Sequence, residues 1–323
     1  NKYMNILITG GAGYTGSTVA NLLLDRKHKV SIIDNLSTGI KKNIPDRSIF
    51  YKCDISDKKK VRKILKKKFD VVLHFAAFTN NDESIKKPKK YLINNYKKAK
   101  FFLELCIESN IKNFIYSSTA AIYGNNKKRI KENQKTSPLS PYAKSKLKLE
   151  KFFFKKKKDI NFIILRYFNV GGIEKKLRCG FNINNNTLIS NLCRSVINEE
   201  TFFIYGKSHN TIDGTAIRDY IHVIDLAKIH FEFSKKILKK KYSDVFNCGY
   251  GKGISVKKMY NIFSKVSKKS PKVIFKGKRK KDISVSISDI TKLSHEIDVN
   301  YKKAKWLDLA KTSIDWYRNN KEN

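Results

Sequence analysis

The 323-residue sequence predicts an α/β fold, a doubly wound parallel sheet followed by a smaller, mixed α/β domain. Three observations predict it. Short apolar runs alternate with amphipathic segments through the first half, glycines cluster where the first run turns into the first amphipathic segment, and the rhythm breaks after about Asn169. Strands separated by helical patterns call for right-handed crossovers, which cover both faces of a parallel sheet with helices.

Strand 5–9 carries Ile6-Leu7-Ile8, a continuous apolar run suited to burial on both faces, and helix 14–25 follows it directly. Val30-Ser31-Ile32-Ile33 marks strand 29–34. The alternation continues with strand 49–52, helix 57–66, strand 70–75, helix 91–109, strand 113–117, helix 142–156 and strand 161–166. Residues 1–169 form one domain in this reading and 170–323 a second. Asp219–Phe233 again reads as strand and helix, so the chain is expected to return to the first domain near 219–238.

The stretch Thr9–Gly16, T-G-G-A-G-Y-T-G, fits G-x-G-x-x-G from Gly11 and G-x-x-G-x-x-G from Gly10. Between a strand and a helix such glycines let a pyrophosphate approach the backbone, where the helix N-terminus offers N–H groups and a positive dipole end. The spacing alone is weak. Its context strengthens it, because Asp34 ends the second strand at the distance where a carboxylate binds both hydroxyls of an adenosine ribose. With no basic residue beside it, Asp34 would repel a 2′-phosphate, so NAD is expected rather than NADP, on a Rossmann-type sheet.

Ser140-Pro141 precedes Tyr142-Ala143-Lys144-Ser145-Lys146, and on a helix starting near Pro141 the residues Tyr142 and Lys146 share a face. A free phenol, with a pKa of about 10, is a poor base at neutral pH. A neighbouring ammonium and a nicotinamide cation would lower that value, fitting the tyrosine to accept a proton from a sugar hydroxyl as hydride leaves. Y-x-x-x-K is common by chance in a lysine-rich chain. It gains weight from Phe114-Ile115-Tyr116-Ser117-Ser118-Thr119, a strand running into hydroxyl residues where sheet enzymes gather catalytic groups. His74, among apolar neighbours at a strand end, reads as a structural histidine rather than a base.

A hydrophobic content of 41% over this length permits a sizeable core and two lobes. No apolar run approaches the roughly 20 residues that cross a bilayer, and no charged-then-apolar leader precedes the first strand. A cytoplasmic protein with no membrane partner is expected. The five cysteines are scattered, without a C-x-x-C pair or a His at zinc spacing, so reduced thiols and no metal are expected. A net charge of +41 suggests nucleic acid at first. Yet the lysines are spread along the whole length and accompany abundant Asn and Ile, whose codons are rich in A and T, so the bias reads as compositional, with no specific nucleic-acid partner.

Beyond these readings, the set T-G-G-A-G-Y-T-G, D-N-L-S-T-G (34–39), C-D-I (53–55), H-F-A-A (74–77), S-S-T-A-A-I-Y-G (117–124), S-P-Y-A-K-S-K (140–146), R-Y-F-N (166–169) and R-D-Y-I-H-V (218–223) resembles the extended short-chain dehydrogenase/reductases. Among them it is most similar to the UDP-glucose (UDP-galactose) 4-epimerases, in motif order over nearly the whole chain. The resemblance implies a pyrophosphate loop of Gly10, Gly13, Tyr14, Thr15 and Gly16, with Asp34 and Asn35 on the adenosine ribose and Asp54 and Ile55 at the adenine. It implies Phe75, Ala76, Asn95, Ser117 and Phe168 lining the NAD, Tyr142 and Lys146 serving both the cofactor and catalysis, and Thr119 as the catalytic hydroxyl. For a UDP-sugar it implies contacts from Thr119, Asn169, Thr187 and Leu188, with Tyr205 near the uracil, Arg218 and Arg279 on the diphosphate, Asp282 on the uridine ribose and Ser286 beside the C2 substituent of the sugar. A homodimer through the helices near 91–109 and 142–156 is implied as well.

The implied reaction is redox-neutral. Hydride leaves C4 of the hexose for NAD, the keto sugar turns about its diphosphate, and hydride returns to the other face, interconverting UDP-glucose and UDP-galactose. In the family a bulky tyrosine at the Ser286 position accompanies restriction to unmodified hexoses, and a small residue accompanies acceptance of the N-acetylated pair, so serine favours the broader range. A 4,6-dehydratase would need an Asp-Glu pair after Thr119 and a decarboxylase a glutamate there, where Ala120-Ala121 stand. A non-catalytic NAD-binding protein would not need Thr119, Tyr142 and Lys146 together. Departures from the pattern are Thr79 at a position that is basic in some relatives, Lys280-Lys281 in place of Pro-Gly, and the segment Phe181–Asn186.

Overall fold

The structure, a computed structural model, describes residues 3–125, 129–277, 283–298 and 304–321. In chain order its strands are β1 Asn5–Thr9, β2 Lys29–Asp34, β3 Ile49–Lys52, β4 Val71–His74, β5 Asn113–Thr119, β6 Asn161–Tyr167, β7 Asn169–Gly171, β8 Phe202–Tyr205, β9 Ile217–Arg218, β10 Tyr220–His222, β11 Ser243–Cys248, β12 Ile254–Ser255, β13 Val273–Lys276 and β14 Val285–Ser286. Seven of them build one sheet in the order β11-β6-β5-β4-β1-β2-β3. From β6 to β3 every neighbouring pair is parallel. The order reverses between β1 and β4, and in such sheets the crevice at the carboxyl ends beside that reversal is where ligands bind.

The helices are α1 Tyr14–Asp25, α2 Lys58–Leu65, α3 Asn81–Lys86, α4 Pro88–Leu92, α5 Ala99–Glu108, α6 Pro141–Lys155, α7 Leu188–Asn198, α8 Val223–Lys236, α9 Val256–Ser267, α10 Thr291–Glu296 and α11 Trp306–Asn320. On the sheet, Phe102, Leu149 and Phe153 from α5 and α6 bury against Leu7, Val72, Phe114 and Phe162. Phe153 lies 5.4 Å from Phe162 between ring centroids. Two starts follow from local chemistry. Asp57 caps α2 by accepting from Lys60 N–H at 3.1 Å, and Ser140 caps α6 with Pro141 in its first turn.

The helix expected at 91–109 differs. It is α4, then a π-helical turn Ile93–Lys98, then α5, while α3, capped by Asn80, was not expected. Pro88 can open a helix but not continue one, which separates α3 from α4. Strand 113–117 is longer than its apolar core suggests, because Ser117, Ser118 and Thr119 stay in register with Leu165, Arg166 and Tyr167 of β6.

The chain forms two compact units. One comprises Asn1–Gly124, Lys135–Tyr167 and Ala227–Phe246, the other Asn125–Gln134, Phe168–Leu226 and Asn247–Asn323. The second unit holds short pairs: β7 beside β10, β9 between β12 and β14, and β8 beside β13. Gly171 in β7 lies where an added Cβ would meet Leu309 of α11, and the Trp316 indole N–H of α11 donates to the Phe181 carbonyl at 2.9 Å. Among the described residues no helix is long and apolar enough to cross a membrane, and no group of three or more His, Cys, Asp or Glu side chains could hold a metal. The five cysteines are buried free thiols.

Candidate active site

The turn after β1 is built for close approach. Gly10 has φ of +73°, and a Cβ there would stand 2.6 Å from the Ala76 nitrogen, so only glycine lets this turn lie against the chain leaving β4. Gly13 donates to the Gly10 carbonyl at 3.1 Å and caps α1 with no side chain. Among the described residues, chain neighbours aside, a Cβ at Gly13 would meet that carbonyl, at 3.2 Å. An open glycine surface at a helix N-terminus, followed by Tyr14 and Thr15 at intermediate exposure, fits a pyrophosphate.

At the end of β2 the Asp34 carboxylate accepts from Ala12 N–H at 3.0 Å and Leu36 N–H at 2.8 Å. Burial pushes its pKa up, and these bonds pull the other way. Asn35 beside it donates to Asp54 at 3.0 Å. Asp54 also accepts from Ser56 O–H at 2.6 Å and pairs with Lys98 at 2.7 Å. Burial opposes the charge on Asp54, but Lys98, Ser56 and Asn35 hold its carboxyl at about 2. Ile55, next in the chain, is buried. Lys98 is a residue the sequence did not single out, brought to Asp54 by the π-helical turn.

That turn also fixes Asn95, whose amide donates to the Phe78 carbonyl and accepts from Phe78 N–H, both at 2.9 Å, and reaches Ser145 at 3.3 Å. π-helical turns inside helices are frequent at functional sites. Phe75 packs its ring 5.0 Å from that of His230, and Ala76 follows at intermediate exposure. His74 shares a hydrogen bond of 2.7 Å with Thr9. Burial and then the Lys146 charge lower it to about 3, so it is a neutral structural histidine at working pH.

Thr119 ends β5 and Tyr142 lies in the first turn of α6, close enough for the Thr119 hydroxyl to act on the phenol. Burial pushes the Tyr142 phenol up and the Thr119 hydroxyl pulls it down. Lys146 is buried, donates to the Ser117 carbonyl at 2.7 Å, and lies 5.0 Å from the Tyr116 ring centroid. Burial brings its ammonium down to about 7, with the Glu150 charge opposing that fall. The structure therefore brings Thr119, Tyr142, Lys146 and Ser117 together. Ala121 N–H donates to the Thr119 hydroxyl at 3.2 Å, and the Ala120–Tyr123 turn offers no carboxylate there.

In the second unit, Asn169 N–H donates to the Asp219 carbonyl at 2.9 Å. Arg218 pairs in register with Ser286, as β14 runs parallel to β9, and Asp219 N–H donates to the Ser286 carbonyl at 3.1 Å. Asp219 is a hub the sequence did not assign. Fully buried, it accepts from Tyr250 N–H at 2.8 Å, Gly251 N–H at 3.0 Å and Ser288 O–H at 2.5 Å, locking the frame that carries Asn169, Arg218 and Ser286. Thr187 caps α7 by accepting from Ser190 N–H at 3.2 Å, with Leu188 first in that helix. Tyr205, partly exposed, ends β8, and Phe168 is buried with its N–H on the Cys248 carbonyl at 3.0 Å. Arg279 and Asp282 lie outside the described residues.

Residues 6–249 match the family described as NAD dependent epimerase/dehydratase. The chain is 35% identical over 321 residues to a UDP-glucose 4-epimerase of Lactobacillus helveticus, covering 98% of this chain and 97% of that one. It superposes on the crystal structure of a Stenotrophomonas maltophila UDP-glucose-4-epimerase with bound NAD and formylated UDP-arabinopyranose, with TM-score 0.94, 27% identity and 99% of each chain covered. A UDP-Glc/GlcNAc 4-epimerase of Campylobacter jejuni aligns with TM-score 0.85 and 34% identity, covering 98% of this chain and 99% of that one.

Proposed function

The chain belongs to the NAD dependent epimerase/dehydratase family, and from that premise we propose that it interconverts UDP-glucose and UDP-galactose by oxidation and re-reduction at C4. The observation that carries this is the hydroxyl pair Thr119–Tyr142 beside the buried Lys146, followed by alanines where a dehydratase needs carboxylates.

Gly10, Gly13, Tyr14, Thr15 and Gly16 would hold the pyrophosphate of NAD, Asp34 and Asn35 its adenosine ribose, and Asp54 and Ile55 the adenine, with Phe75, Ala76, Asn95, Ser117 and Phe168 completing the walls. Bound there, NAD supplies an acceptor for the C4 hydride that can also give it back. Tyr142 takes the proton of the C4 hydroxyl, with Thr119 bridging the sugar oxygen and the phenol, and the Lys146 ammonium stabilises the phenolate. Arg218 and Arg279 grip the diphosphate while the keto sugar turns, a task suited to guanidinium forks. Asp282 and Tyr205 hold the uridine, and Asn169, Thr187 and Leu188 hold the remainder of the UDP-sugar. On return the phenol gives its proton back to O4.

The test is incubation of purified protein and NAD with UDP-glucose, and separately with UDP-N-acetylglucosamine, without reductant, following proton NMR. Appearance of the 4-epimer of UDP-glucose is expected, and its absence with intact substrate would remove the assignment. The small Ser286 and the likeness to a UDP-Glc/GlcNAc 4-epimerase support the N-acetylated pair as additional substrates. A cytoplasmic homodimer belongs to the same reading, supported by partly exposed Ile93 and Phe154 near the expected helical interface; a monomer by size-exclusion chromatography would count against it. The buried Asp34 carboxylate also predicts a preference for NAD over NADP of at least about tenfold, or about 1.4 kcal/mol. Equal affinities in a calorimetric titration would dismiss Asp34 as the ribose ligand.

A further inference from the structure

Behind the catalytic face lies a buried polar cluster that the mechanism has not used. The Glu150 carboxylate, 1% exposed, accepts from Arg166 through two nitrogens, at 3.1 and 2.7 Å. It also accepts from the Ser118 hydroxyl at 2.5 Å. Arg166 in turn donates to the Tyr123 hydroxyl at 2.8 Å. An apolar pair of the same volume often serves folding equally well, so stability alone does not account for a bidentate pair this deep.

Its position shows what that geometry serves. Glu150 is four residues beyond Lys146 on α6, one helical turn along the same face. Ser118 sits between Ser117, whose carbonyl receives the Lys146 ammonium, and Thr119, whose hydroxyl meets Tyr142. Side chains alternate along a strand, so the Ser118 hydroxyl points away from the sides that Ser117 and Thr119 take. Its bond to Glu150 ties the end of β5 to the helix that carries Tyr142 and Lys146.

Resting on the epimerase reading above, we propose that Glu150, clamped by Arg166, is a positioning residue for the Thr119–Tyr142–Lys146 set, acting through the Ser117–Thr119 backbone and through its charge one turn from Lys146. The other groups facing this region are Tyr116 on β5, His74 on β4, Tyr123 after β5 and Tyr167 on β6. His74 is neutral, and burial keeps Tyr116 protonated. Glu150 is therefore the negative charge that opposes burial of the Lys146 ammonium.

The test uses Glu150→Gln, which keeps the shape and removes the charge, Ser118→Ala, which removes only the tie, and a double Glu150→Met/Arg166→Met variant, which fills the space without either charge. For Glu150→Gln in the NAD-loaded protein, kcat for UDP-glucose should fall about tenfold or more, within the range of positioned acid–base groups, with KM within about threefold. Losing the carboxylate destabilises the ammonium, so the alkaline limb of the kcat profile should move to lower pH by about one unit. Ser118→Ala should lower kcat without moving that limb. The double variant should fold and show the same kcat loss. In the 13C-lysine-labelled protein without substrate, the Lys146 signal, assigned by its loss in Lys146→Met, should titrate about one unit lower in Glu150→Gln. A folded Glu150→Gln protein with an unmoved Lys146 titration would overturn the proposal. This titration needs no turnover, so a parent protein that fails to epimerise UDP-glucose would remove the functional reading and leave this result standing.

Discussion

Tyr142→Phe is expected to lower kcat about 10²-fold or more, the scale of a positioned acid–base group, with the fold and NAD binding retained. The ring packs edge-on to Tyr91 at 6.4 Å between centroids, and phenylalanine keeps that contact. What goes is the hydroxyl that meets Thr119. In the chain by itself, burial holds the phenol protonated, so the proposed base form depends on the further cation of a nicotinamide bound beside it. Steady-state epimerisation, paired with calorimetric NAD binding and a thermal melt, checks the three parts separately. A near-parental kcat would show that another group takes the C4 proton, and loss of NAD binding would show that the ring, not the proton, was removed from the site.

The first unit was legible because its signals are local. Ile6-Leu7-Ile8 and Val30-Ser31-Ile32-Ile33 are buried on both faces, and the continuous runs say so without any knowledge of their partners. Gly10 and Asp34 could be found because a turn at positive φ and a strand-end carboxylate leave marks at fixed spacing. The π-helical turn at Ile93–Lys98 leaves none, since its extra residue is settled by Asn95 bonding to Phe78, 17 residues away. Lys98 was invisible for the same reason: among 69 lysines and arginines, nothing local marks the one that reaches Asp54. The Glu150–Arg166 pair joins helix to strand across 16 residues, and a lone glutamate on a helix reads as a solvated face. The second unit was harder still. Strands of two or three residues, such as Ile217–Arg218 and Val285–Ser286, are too short for period-two alternation to register, and its hub, Asp219, gathers donors from 31 and 69 residues away. There only the family motifs, not periodicity, pointed to Arg218 and Ser286.

Ser286→Tyr is expected to lower kcat/KM for UDP-N-acetylglucosamine by up to about 150-fold while sparing UDP-glucose. Ser286 is half-buried in β14, opposite Arg218 in a parallel register. Paired residues on neighbouring strands turn their side chains to the same face, so Ser286 shares the side of the sheet on which Arg218 is proposed to hold the diphosphate. Its backbone is held through Asp219, because its carbonyl accepts from Asp219 N–H and Asp219 is itself held by four donors. In the proposed function, a serine there would leave space beside C2 of the sugar. A phenol would fill the room an acetamido group needs, and overfilling a packed site costs about 1–3 kcal/mol, or up to about 150-fold in kcat/KM. UDP-glucose, with only a hydroxyl at C2, should change by less than about threefold, a small fraction of that cost. Measuring kcat/KM for both sugars in parent and variant is decisive, since the exclusion is a difference between two substrates in one protein. Equal losses would mean that the tyrosine disturbs the sheet rather than the sugar pocket, and equal retention would mean that residue 286 does not face C2.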